Sequence, residues 1–138
     1  MKYSIHLFIF LSVFLISSQP QKIYGQGEYF LLTVRYSDDD GSTYINRSTK
    51  FTVDLSKMEL TITQSGIKSI YEIVDAKAEP DERTGNGLKS TTIFECISTS
   101  KEFHLFIMIN DVQSDGTSKV TMGDMNMKTN RNRIYFNY

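Results

Sequence analysis

Apolar and polar residues alternate with a period of two over most of the chain. Phe30, Leu32, Val34 and Tyr36 fall on one side of a run whose other side is Leu31, Thr33 and Arg35. Phe51, Val53 and Leu55 alternate with Thr52, Asp54 and Ser56, and Met58, Leu60 and Ile62 with Glu59, Thr61 and Thr63. Successive side chains of a strand point to opposite faces, so this pattern predicts strands of an antiparallel sheet with one buried and one wet face. Only Ser56 and Lys57 separate the second and third runs, spacing that predicts a tight hairpin.

Later runs are less regular. Ile67 to Val74 carries apolar residues on both faces, and Ala76 to Leu88 collects Pro80, Gly85, Asn86 and Gly87 among charges, which predicts the longest loop. Thr91 to Ser98 is rich in β-branched residues. Phe103 to Ile109 is almost continuously apolar and predicts a central strand covered on both faces, with His104 on the side of Phe106 and Met108. A turn region around Asp115-Gly116, a short strand at Val120 to Met122, and a closing strand from Asn132 to Tyr138 follow. The total is seven to nine short strands with no long helical pattern and no repeat. It predicts an all-β fold, a single small antiparallel barrel or sandwich, and the meander of brief turns favours the barrel.

The first residues read differently. Lys2 precedes the apolar stretch Ile5 to Ile16, and Ser17 to Gly25 is polar and short, the order of a secretory signal peptide. The stretch is too short for a membrane span of ~20 apolar residues. Residues 1–25 are therefore expected to be removed, leaving Gln26 first, with cleavage after Ser18 as the alternative. A single β domain, 26–138, would work outside the cytoplasm, secreted or periplasmic, with no integral membrane span after cleavage. Losing Lys2 and Lys22 with the leader moves the net charge from −1 to −3. A mildly acidic surface argues against nucleic acid as a partner. Cys96 is the one cysteine, so no disulfide can form within the chain, and its strand position predicts a buried, inert thiol.

Chemistry-bearing residues are few. His104 is the sole histidine after the leader, and its apolar strand makes it a structural side chain rather than a base. No serine sits in a nucleophile context. Most acids lie in turns, such as Asp38 to Asp40 and Glu79, Asp81 and Glu82, and neither Asp38 to Gly41 nor Asp111 to Gly116 has the spacing of a calcium loop. Met122, Met125 and Met127 are three thioethers within six residues, a candidate soft-metal site for Cu(I), with core packing as the simpler account. Tyr36, Tyr44, Tyr71 and Tyr135 are the candidate ligand-binding residues, since tyrosine serves both strands and recognition surfaces.

No cofactor is implied. The expected function is that of an exported, non-catalytic binding or interaction domain recognising a protein, glycan or small molecule through its sheet surface and loops. One alternative is a small exported enzyme whose carboxylates converge in the fold. Another is a barrel carrying an apolar small molecule, whose inward set would come from Phe30, Leu32, Val34, Phe51, Val53, Leu60, Ile62 and Ile107. So short a domain has little volume to spare, which predicts a filled interior and recognition on the outside.

Overall fold

The computed structural model describes the backbone of residues 26–38, 41–85 and 87–137, and the side chains of all of these except 33, 36–38 and 41–43. Residues 1–25, expected to be a leader, and Asp39, Asp40, Asn86 and Tyr138 lie outside the described residues. Nine strands follow one another: β1 (Gly27–Asp38), β2 (Gly41–Asp54), β3 (Glu59–Gln64), β4 (Ile67–Ala78), β5 (Glu82–Thr84), β6 (Gly87–Ser98), β7 (Phe103–Gln113), β8 (Ser118–Asn126) and β9 (Arg131–Phe136). No helix occurs among the described residues. The fold is all-β and antiparallel throughout.

Pairing closes the sheet on itself. Consecutive strands form ladders, β4 skips the three-residue β5 to pair with β6, and β9 returns to β1. Eight strands thus make a ring, with β5 folded back on the start of β6. The stretch expected as the longest loop is mostly strand, because β4 runs on to Ala78 and β5 pairs Glu82–Thr84 with Gly87–Lys89.

The turns show why the chain reverses where it does. Between β2 and β3 the Asp54 carboxylate accepts hydrogen bonds from the Ser56 and Lys57 amides and from the Ser56 hydroxyl. Ser65 and Gly66, at φ 51° and 76°, form a two-residue link whose positive φ values give a turn with a twist that matches the flanking strands of a tight hairpin. Asp115 holds the β7–β8 turn by accepting from the amide and hydroxyl of Thr117.

A closed sheet has one interior, and the apolar residues that alternate inward fill most of it. Leu31, Val34, Phe51, Val53, Leu60, Ile62, Ile73, Phe94, Cys96, Phe106, Met108, Met122 and Tyr135 form the core. Phe51 and Tyr135 meet edge to face, ring centroids 4.8 Å apart. Burying each such large side chain is worth ~1.5–3 kcal/mol. Of the expected inward set, Val34, Phe51, Val53, Leu60 and Ile62 are inside. Phe30 and Leu32 are not, being 58% and 59% exposed. The β1–β2 register shifts between Leu31 and Thr33, so Leu31 and Val34 both face inward and the simple alternation fails there. Ile107 is also outside, on the face opposite His104, Phe106 and Met108. The strand expected to be covered on both faces is covered on one.

Where β9 ends, a side chain carries on its ladder. The β1–β9 register spans only Thr33–Ser37, and beyond it the Asn137 amide accepts from the Leu32 N–H and donates to the Phe30 carbonyl, at 2.7 and 2.6 Å.

Candidate functional site

Antiparallel pairing brings the start of β4, the end of β6, the start of β7, the end of β8 and the start of β9 to one end of the closed sheet. There the core stops short and leaves a polar cavity of about 560 Å³. Tyr71, Glu102, His104, Asp124, Asn126 and Arg133 are among its lining residues, with serine and threonine hydroxyls from the β6–β7 turn around them. Pockets for small molecules fall in this size range. The aromatic core forms its floor: Tyr71 packs edge to face on both His104 and Phe106, at 5.0 and 4.9 Å between centroids.

Two turns fix the chemistry of that floor. In the β6–β7 turn, Lys101 takes a left-handed φ of 65° and the Glu102 amide donates to the Ser98 hydroxyl, which aims the Glu102 strand end at the cavity. In the β8–β9 turn, Asn126 Oδ1 accepts from the backbone amides of Lys128 and Thr129. With its oxygen engaged by two donors, the side-chain amide must turn its NH₂ the other way. Asn126 Nδ2 then donates to Glu102 Oε2 at 3.0 Å and lies 3.5 Å from His104 Nε2.

An NH₂ group only donates, so the His104 nitrogen facing it carries a lone pair and the ring proton sits on Nδ1. Nδ1 donates it to Asp124 Oδ1 at 2.7 Å. Both residues are buried. A hydrogen bond on one imidazole nitrogen thus sets the role of the other. Burial pushes the Asp124 carboxyl above its ordinary range, opposed by the His104 hydrogen bond and by the charge of Arg133. The Tyr71 hydroxyl is raised too, by burial first and then by the nearby Asp124.

Cys96 lies directly opposite His104 across the β6–β7 ladder. Burial, helped by Asp124, pushes its thiol up to about 12, so it stays protonated and is no nucleophile. Among the described residues no group of three His, Cys, Asp or Glu side chains is placed to hold a metal ion.

The residues singled out in the sequence are not brought together. Tyr71 lines the cavity, Tyr135 is buried in the core, and Tyr44 is exposed on β2. Tyr36 pairs through its backbone with Thr43 and Arg133, and its side chain lies outside the described residues. Met122 is buried inside the ring, while Met125 faces a shallow outer hollow beside Leu105 and Ile107 and Met127 is exposed in the following turn. Alternation along β8 keeps the first two thioethers on opposite faces. His104 is satisfied at Nδ1 as a structural histidine would be, yet its ring also lines the cavity. Asp124, Glu102, Asn126 and Arg133 were missed by sequence reasoning. The available signal was that His104 shares its face of β7 with Phe106 and Met108, and Asp124 its face of β8 with Met122, so each is a polar group at an inward position beside buried apolar ones.

No family model matches the chain, and no curated protein or solved structure matches it either.

Proposed function

We propose that the domain is a small barrel that binds a small polar molecule at its open end and works outside the cytoplasm. The observation that carries this reading is the cavity of about 560 Å³ bounded by oriented polar groups, the His104–Asp124 pair at its floor among them. Sites of this kind pair a shaped hollow with a few placed polar groups that fix a ligand's orientation. The filled apolar core below it speaks against an internal apolar cargo. Export rests on the leader alone: intact mass of the protein from its own host should show Gln26 as the first residue, and a full-length mass would refute it.

The binding reading is tested by a nuclear magnetic resonance screen of small polar compounds. Hits should move the ring signals of His104 and Tyr71 and leave those of Tyr44 in place. Hits that move only the outer strands would overturn it.

The oriented lone pair on His104 favours a second reading, in which the same cavity is catalytic and His104 Nε2 is a general base supported by Asp124. Consumption of a bound hit, with turnover lost in His104→Gln, would decide for it. Cys96 plays no part in that reading, because its thiol is held neutral.

A further inference from the structure

We propose that the ligand of the open-end cavity is a hydroxylated carboxylic acid, of the sugar-acid class, with its carboxylate at the rim and a hydroxyl donating to His104 Nε2. This rests on the cavity being a binding site and specifies what it binds.

The floor asks for donors. His104 Nε2 is an acceptor by the orientation of Asn126, and its present contact of 3.5 Å is at the far limit of hydrogen bonding, so a hydroxyl at ~2.8 Å improves on it. Glu102 is a second acceptor beside it, with one bond from Asn126 at 3.0 Å and a distant Lys128 at 3.9 Å. A carboxylate oxygen pair has room for more donors than these. A ligand that meets both groups brings hydroxyls.

The rim asks for an anion. Lys68 and Arg131 border the cavity beside one carboxylate, Glu102, while the other, Asp124, faces both His104 and Arg133. This cationic surplus stands out on a chain whose net charge is −1. Guanidinium groups present a planar fork of donors that matches a carboxylate. Between rim and floor, the Tyr71 ring supplies a partly apolar wall suited to the carbon face of a small ring.

The test is isothermal titration of the full chain with four probes: glucuronate, glucose and propionate, which separate the acid from the hydroxyls, and glucosamine, which reverses the charge. Glucuronate should bind at least about tenfold more tightly than glucose or propionate, each of which offers only half of the contacts. Arg131→Gln should weaken glucuronate by about tenfold and leave glucose unchanged. In ¹⁵N spectra glucuronate should shift the His104 Nε2 signal and leave the Nδ1–H signal bonded to Asp124. Equal binding of glucose and glucuronate, or tighter binding of the cationic probe glucosamine, overturns the acid assignment. If those probes still shift His104, the cavity remains the binding site and only the ligand class falls. Binding of glucuronate without a shift at His104 Nε2 overturns the assignment and the site together.

Discussion

Replacing Asp124 by leucine removes the one acceptor that the buried His104 Nδ1–H has at 2.7 Å. Leaving such a donor unpaired costs ~1–3 kcal/mol. The ring cannot escape by moving its proton to Nε2, because that nitrogen would then face the Asn126 NH₂, itself fixed by two backbone donors to Asn126 Oδ1. Asp124→Leu should therefore cost about 2 kcal/mol, toward the middle of that range. In a domain of this size that lowers Tm by roughly 6–12 °C. Asp124→Asn keeps an oxygen in place and should cost less than about 1 kcal/mol at pH 7. The double variant His104→Leu, Asp124→Leu removes both partners and should be more stable than Asp124→Leu alone, with a coupling of about 1–3 kcal/mol in the double-mutant cycle. Urea unfolding at one pH of wild type, Asp124→Leu, Asp124→Asn, His104→Leu and the double variant supplies the free energies, and thermal unfolding the Tm shift. If the double variant is as unstable as the sum of the singles, the pair is not coupled and the proton assignment on His104 is wrong.

Three other outcomes follow from the same geometry. The folded protein keeps a proton on Asp124 that the unfolded chain gives up once the pH passes 3.8, so this group's contribution is full below that value and is lost as pH rises. The urea midpoint of wild type relative to Asp124→Asn should thus fall as the pH is raised above 3.8, and a difference that stays constant with pH would refute it. Cys96, with its thiol at about 12, should fail to react with a thiol reagent at about pH 8 in the folded protein and react fully in urea, and fast native labelling would contradict the burial argument. A Cβ at Gly87 would fall on the Val112 carbonyl oxygen of the neighbouring strand, so Gly87→Ala should cost about 1–3 kcal/mol in urea unfolding, and a neutral result would mean that β6 and β7 part there easily.

Much of the fold was legible because burial on one face imposes a period of two. Phe51, Val53, Leu60 and Ile62 were placed correctly, as were His104, Phe106 and Met108 on a common side. Phe30 and Leu32 were misplaced because the register between β1 and β2 shifts near them, and nothing in the local run of apolar residues marks that shift. Their neighbour Leu31 is as apolar as they are. The site was harder to read. His104 and Asp124 are twenty positions apart and meet only through the β7–β8 ladder, and a strand read as ending at Met122 gives Asp124 no face at all. Once β8 is carried on to Asn126, alternation puts Met122, Asp124 and Asn126 on the same side as His104. Sequence alone could not supply the orientation of Asn126, since that depends on amides in a turn beyond it.

The amide of Asn137 occupies the two backbone groups of β1 that a further strand residue would occupy. Beyond it lies the part of β1 that β9 does not reach, with the exposed rings and methyls of Phe30 and Leu32 on its outer surface. A bare backbone edge beside apolar side chains is what one chain needs to recruit another. Among the described residues the Asn137 side chain therefore acts as a stopper against self-assembly at that edge. Its weak point is chemical. Loss of ammonia from Asn137 would turn the donor facing the Phe30 carbonyl into a charged oxygen, and repulsion between the two would lift the stopper. An ageing sample would then grow strand-paired aggregates from one end of the molecule while the cavity at the other stayed intact.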